Sequence, residues 1–337
     1  MNVREFAKRV LPKPLLVPLL RIKAHRTLDR AYGYDRRRFR QFSSSVDPFA
    51  TRQNLASRIT ESYHNIEKGL SLPAPRPGFG AEAIRRLIGY VDQYETMYGQ
   101  DHVVRSAVAT LAAYRDFNLD RGVSAEEIPD NAAIERLQAG AAAPLPPGGV
   151  KWVKRDELSE ITASVHPQFF ESRASVRHFE PGDVDLDDIA FAARAAQKSP
   201  AVCNRQYSKI YIITEPEKVE RALTIQGGAR GFRENVPAVA VITTNLRNFW
   251  SAGERMQPWT DGGMFAMSFV LGLHARGLGS VCLNWSKTAD VDREFRAAFA
   301  LPSEEVIVML IAIGRLPEEF RVAVSPRVPL AETLHTL

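Results

Sequence analysis

Between Ala139 and Val150 the chain reads AGAAAPLPPGGV, a run of small residues, prolines and glycines that can neither continue a helix nor pair as a central strand. The segment is expected to be an interdomain linker separating residues 1–138 from residues 151–337. Upstream, Ala81 to Tyr98 and Val103 to Asn118 read as helices. In the first, Ile84, Leu87, Ile88, Val91 and Tyr94 recur mostly at three- and four-residue intervals, which places them on one face. The first part of the chain is therefore expected to be mostly helical.

Downstream the periodicity changes. Short β-rich runs (Lys209 to Thr214, Ala238 to Thr243, Ser280 to Leu283, Val306 to Ile313, the last stopping before Gly314) are separated by helical stretches near Asp187 to Lys198, Lys218 to Leu223 and Val291 to Phe299. That pattern belongs to an α/β or α+β domain. Gly262 to Leu273 (GGMFAMSFVLGL) is apolar on all sides, so a helix there needs cover from its own sheet and from a further surface, for which a second copy of the chain is the natural source.

Charge is distributed unevenly. Residues 1–60 hold 14 Lys and Arg against 4 Asp and Glu, whereas the whole chain carries only +5, so the rest is mildly acidic. Such a basic arm, with Arg21, Lys23, Arg26 and Arg30 followed by Arg36, Arg37, Arg38 and Arg40, is either a solvated helix face or a contact for a peripheral membrane surface or an acidic partner. Nucleic acid is not expected, because Tyr32, Tyr34, Phe39 and Phe42 are the only aromatic residues near it and no nucleic-acid-binding motif accompanies them. Pro12, Pro14 and Pro18 interrupt the N-terminal apolar runs, so neither a membrane span nor a cleaved signal peptide is expected. With two cysteines, Cys203 and Cys282, the sequence cannot supply a disulfide framework or a multi-cysteine metal site. A cytoplasmic protein is expected.

Several familiar machineries are absent. Gly277 and Gly279 precede a β-run rather than following one, and Cys282 fills the third glycine position of a dinucleotide fingerprint. There is no GxxxxGK[ST] phosphate loop, no HExxH zinc helix and no GxSxG nucleophile elbow. His64 and Glu67 lie at i and i+3 on an expected helix, where capping and packing compete with a two-ligand metal clip.

Four segments remain. Arg173-Ala174-Ser175-Val176-Arg177, if extended, projects two cations and a hydroxyl to one side, as solvated charge or as a grip on an anion. Ser199-Pro200-Ala201-Val202-Cys203-Asn204-Arg205-Gln206 is a Pro-punctuated loop between a helix and a strand, suited to capping or to ligand contact. In Gly277-Leu278-Gly279-Ser280-Val281-Cys282-Leu283-Asn284-Trp285 the glycines either stop a helix or let backbone approach a ligand. Ser325-Pro326-Arg327-Val328-Pro329 brings one more arginine near the C-terminus.

Taken in order and spacing, these segments resemble the nitroreductase family of flavoproteins over residues ~171–337, through the RxSxR opening, the SP loop ending in NxQ, the apolar helix near Asp261, the GLGS turn and the closing basic-Pro segment. The resemblance implies an α+β fold, a mixed β-sheet flanked by helices, preceded here by the helical N-terminal region. It also implies FMN as cofactor, bound at the interface of a homodimer. Arg173, Ser175 and Arg327 would hold the phosphate and Arg177 would face and tune the pyrimidine edge of the ring. Pro200, Ala201, Val202, Asn204 and Gln206 would approach from the second copy, and the backbone of Leu283 and Asn284 would lie near N5. Ser325 departs from the lysine that many members carry at that position. The implied activity is hydride transfer from NADH or NADPH through the flavin to an organic acceptor such as a nitroaromatic, quinone or enone, with no obligatory acid or base side chain. The alternative is a catalytically silent scaffold targeted by its basic arm. The stretch from His64 to Leu70 (HNIEKGL) followed by Pro77-Gly78-Phe79-Gly80 also resembles a subset of bacterial members.

Overall fold

The computed structural model describes residues 13–47, 49 and 51–337; the part of the basic arm in residues 1–12 lies outside the described residues. The chain begins with α1 (Lys13–Phe42), α2 (Arg52–Leu70), α3 (Ala81–Tyr98), α4 (His102–Leu119) and α5 (Asn131–Ala139). Pro18 lies inside α1 and forgoes one backbone hydrogen bond without ending the helix. α2 to α5 share one core. The face of α3 read from the sequence, Ile84, Leu87, Ile88, Val91 and Tyr94, is buried against Leu55, Ile59 and Ile66 of α2 and Val104 and Leu111 of α4. Helix starts are capped where the chain offers a short oxygen: Thr51 accepts from the Asn54 amide at 3.2 Å, and Asp101 from the Val103 amide at 2.8 Å.

This region also accounts for the HNIEKGL and PGFG segments. A Cβ on Gly69 would stand 2.2 Å from the Phe79 ring, so glycine is what allows the ring to lie on α2. The ring stacks edge-on to Tyr114 at 5.2 Å, while the Tyr114 hydroxyl donates to the Phe79 carbonyl at 2.6 Å. His64 Nδ1 and Glu67 Oε2 stand 3.1 Å apart, and no third ligand joins them: among the described residues no group of three or more His, Cys, Asp or Glu could hold a metal ion. The pair is a local contact within α2.

Residues 140–150 hold no helix or strand, but they are not loose: Gly148 and Gly149 lie so close to Ala109 and Ala113 of α4 that Cβ atoms there would approach to 2.5 Å. The exposed α6 (Arg155–Ala163) and the short α7 (Gln168–Ser172) then lead to α8 (Leu186–Ala196), β1 (Ser208–Ile213), α9 (Pro216–Gln226), β2 (Ala238–Asn245), α10 (Gln257–Ala275), β3 (Leu278–Asn284), α11 (Ala289–Phe299) and β4 (Glu305–Arg315). β4 continues through Gly314, past the end expected from its apolar run. The fold is α+β. Four strands run in the order β1-β2-β4-β3, every neighbouring pair antiparallel, and a parallel bridge between Ser175 and Ser280 extends the sheet beyond β3.

Period-2 alternation divides the sheet between two helical layers. Ala238, Ala240, Ile242, Ile311 and Ile313 face Phe269, Val270 and Leu273 of α10 and Ala192 of α8. Val239, Val241, Leu310 and Ala312 face Val219 and Leu223 of α9 and Phe295 of α11. α10 packs closely because a Cβ on Gly272 would meet the Ala192 backbone at 2.6 Å and one on Gly262 would meet Val308 at 2.5 Å. Its opposite side, with Trp259, Met264 and Met267, remains exposed, so the sheet covers only part of this all-round apolar helix. Among the described residues no helix is long and apolar enough to cross a membrane.

Candidate functional site

Arg173 to Phe179 is extended and pinned to the sheet by the Val176 amide, which donates to the Ser280 carbonyl at 3.0 Å. Val176 turns into the core, whereas its neighbours of opposite parity, Arg173 and Ser175, are half-buried and Arg177 is exposed; the alternation ends at Phe179, which is buried although it shares their parity. Among the described residues, Arg173, Arg177 and Arg327 have no carboxylate within ion-pair distance; Arg177 and Arg327 each donate only to a nearby backbone carbonyl, of Ser175 and Ser325. Cations without a protein anion suit an anionic ligand.

β3 is an edge strand. Cys282, two residues beyond the bridged Ser280, presents its backbone to the same open edge, while the Leu283 side chain is buried in the core. The Asn284 carbonyl accepts from Gln226 at 2.9 Å and its side chain accepts the Ser286 amide at 3.1 Å. Both cysteines are open to solvent in part, Cys203 half-exposed and Cys282 exposed. The walls around Cys282 push its thiol up, and the nearby Arg173 guanidinium partly offsets this. Gly279 has a packing role: a Cβ there would press on Leu316 at 2.8 Å and on Phe179 at 3.3 Å, so its smallness serves the core rather than a ligand.

The loop from Ser199 to Gln206 lies elsewhere, immediately before β1 at the opposite edge of the sheet. β2 and β4 intervene, so three strand spacings, about 14 Å, separate it from β3. Cys203, Asn204 and Gln206 all have positive φ (50°, 52° and 53°), a conformation that non-glycine residues hold only when their surroundings enforce it. Three anchors do so. Asp261, 3 % exposed at the start of α10, accepts the Val202 amide at 3.1 Å and Gln257 at 2.8 Å. Ser199 Oγ meets Ser268 Oγ at 2.7 Å. Arg205, its side chain wholly buried, donates to the Asn248 carbonyl and ion-pairs with Glu254. Gln206 in turn donates to Asn204 Oδ1 at 3.1 Å.

The helical N-terminal region reaches this loop directly. Ser57 of α2 donates to the Asn248 carbonyl at 2.9 Å and touches the Tyr207 hydroxyl; burial pushes that phenol well above its ordinary pKa, so it stays neutral. Asn54 donates to the Arg247 carbonyl at 2.6 Å. Two clefts flank the loop: one of about 350 Å³ lined by Pro200, Ala201, Gln206, Asp261 and Phe265, the other of about 550 Å³ between Arg52, Asp101 and His102 of the helical region and Arg205 and Asn245 of the sheet domain. Gln206, Tyr207 and Lys209 border both.

One chain thus brings together Arg173, Ser175 and Arg177 beside β3, and separately Pro200, Ala201, Val202, Asn204 and Gln206 beside β1. It does not bring the two groups together, nor Arg327, which stands in an exposed C-terminal tail. Sequence reasoning missed Arg205, Glu254, Tyr207 and Ser57. An arginine beside a polar loop reads as surface charge, and its carboxylate partner lies 49 positions away.

Comparison with known proteins bears on the sheet domain. The Nitroreductase family model matches residues 170–227 and 224–315. No curated protein matches the chain. Similar solved structures include an FMN-dependent nitroreductase from Clostridium difficile (20 % identity, 50 % of this chain and 96 % of that one, TM-score 0.43). Nitroreductase A from Vibrio parahaemolyticus is 17 % identical over 50 % of this chain and 74 % of that one, with a TM-score of 0.41. A nitroreductase family protein from Clostridium difficile is 20 % identical over 50 % and 98 %, with a TM-score of 0.43. The family model covers the α+β domain with its RxSxR, NxQ and GLGS segments, so residues 170–315 of this chain are similar to members of the nitroreductase family.

Proposed function

We propose that the protein is an FMN-dependent oxidoreductase that works as a homodimer and uses NADH or NADPH to reduce an organic acceptor. The observation that carries this reading is the separation of the two residue groups: a cationic, carboxylate-free half-site at β3 and a rigidly held loop at β1 of the same chain. Two copies related by a two-fold axis through the exposed side of α10 would set one group against the other twice. FMN would supply the redox chemistry, accepting hydride at N5 and passing it on.

The chain's own residues would bind and orient the cofactor. Arg173 and Ser175, on the segment bridged to β3 at Ser280, with Arg327 of the tail, would offer charge-assisted donors to a phosphate. Arg177 places positive charge beside the ring and so favours its reduced, anionic form. Near N5, where the resemblance puts the backbone of Leu283 and Asn284, the open backbone edge at the adjoining Cys282 would offer a hydrogen bond. From the second copy, Pro200, Ala201, Val202, Asn204 and Gln206 would close over the ring and keep water out, in a shape fixed by Asp261, Ser268 and Glu254. Nitroaromatics, quinones and enones are the acceptor classes to test.

The test is a visible absorption spectrum of the purified protein, alone and with FMN, followed by anaerobic NADH or NADPH. The proposal expects a flavin band that bleaches with the nicotinamide; failure to bind FMN contradicts it.

A further inference from the structure

Among the described residues, α1 is anchored through its C-terminal part. The Tyr34 hydroxyl donates to Asp292 at 2.7 Å, and Arg38 donates to the carbonyls of Ser303 and Glu305 at 2.9 and 2.7 Å. From Arg21 to Tyr32 the helix stands away from the protein, every residue being exposed. An isolated helix of this length gains little in water, so its amphipathic order points to a surface that it meets. Val17, Leu20, Ala24, Leu28 and Ala31 are spaced 3, 4, 4 and 3 apart and form one apolar stripe. Lys23, Arg26 and Arg30 follow the same 3- and 4-residue spacing on a second face, Arg37 stands two turns beyond Arg30 on that face, and Arg21 borders the stripe on its other side.

These cations are uncompensated. Arg38 is the one α1 cation with an ion pair among the described residues, to Asp292 at 3.9 Å. Where α1 meets the start of α10 the apolar surface continues as a groove of about 620 Å³, walled by Tyr32, Phe39 and Met256 and rimmed by Arg36, Arg40 and Arg255 with one carboxylate, Asp35. An apolar stripe flanked by cations, with aromatic side chains at one end, is the arrangement that lies in the headgroup region of an anionic bilayer. We propose that α1 docks this protein on an anionic lipid surface, with Val17, Leu20, Ala24 and Leu28 toward the acyl chains and Arg21, Lys23, Arg26 and Arg30 among the phosphates. An acidic protein or nucleic acid would use the cations and leave the leucines in water. A two-fold contact between copies of α1 would set like charges together.

Full-length protein is sedimented with vesicles of phosphatidylcholine alone and of phosphatidylcholine with phosphatidylglycerol. The proposal expects binding at least about tenfold stronger to the anionic vesicles, falling with added salt. Two variants, Lys23→Glu with Arg26→Glu and Arg30→Glu, and Leu20→Asp with Leu28→Asp, alter only side chains that are exposed or partly so; each should cut binding about tenfold with circular dichroism unchanged. Equal binding to both vesicles overturns the proposal. So does loss of binding in the charge variant while the leucine variant binds normally, because that pattern fits an acidic partner rather than a bilayer. None of these results depends on flavin binding.

Discussion

Ser57 of α2 and Tyr207 at the end of the Pro200–Gln206 loop meet hydroxyl to hydroxyl at 3.2 Å, joining the helical N-terminal region to the segment proposed to cover the flavin. Beside them the buried Arg205 is held by Glu254 and by the same Asn248 carbonyl that accepts from Ser57.

Arg205→Met should therefore cost about 3–5 kcal/mol, since it leaves Glu254 without its cation, while Tyr207→Phe should cost about 1 kcal/mol. Urea denaturation of both variants checks the order. Similar losses in the two would mean that the ion pair does not anchor the loop.

Acid should loosen the docking of α1. Burial alone would raise the Asp292 carboxyl, yet bonds from Arg296, Trp285 and Tyr34 outweigh it and hold the group below the usual carboxylate range. A group depressed in the folded state contributes stability above its unfolded pKa of about 4 and loses it as the pH falls through the lower folded value. The gap in unfolding midpoint between the native protein and Asp292→Asn should be wide at neutral pH and narrow below about pH 4. A constant gap would contradict this.

Gly272→Ala should destabilise the protein by about 1–3 kcal/mol, because the added methyl meets the Ala192 backbone, which cannot swing aside. Gly263→Ala, with open space around its Cβ position, serves as the control and should be neutral or slightly stabilising. Thermal melts of the two variants decide the matter.

For the cofactor, Arg173→Ala and Arg327→Ala should each weaken FMN retention about tenfold or more, whereas Arg36→Ala, on the far α1 surface, should not. Flavin content after gel filtration measures this. Equal retention in all three would remove Arg173 and Arg327 from the proposed phosphate site.

Much of the fold was legible because periodicity reports it. The α3 stripe from Ile84 to Tyr94 and the apolar runs of β2 and β4 were read nearly to their ends. For Gly279 the sequence left open a helix stop and a close approach to a ligand, and only the three-dimensional position of Phe179 and Leu316 shows what fills the space. The polar residues of the four segments could be picked out by their order in the chain. Their division between the two edges of the sheet could not, because it depends on strand order β1-β2-β4-β3, which no local pattern encodes. The anchors Asp261, Glu254 and Ser57 were hidden for the same reason.

The central claim is that each site draws Arg177 from one copy and Asn204 from another. Mixing and reassociating an Arg177→Ala protein with an Asn204→Ala protein tests it directly, because a mixed dimer then holds one intact site and one doubly altered site. The account predicts that the mixture regains about a quarter of the native FMN sites, with NAD(P)H-driven bleaching to match, while neither variant alone does so. A mixture no better than its two components, although mixed dimers have formed, would contradict a site shared between copies.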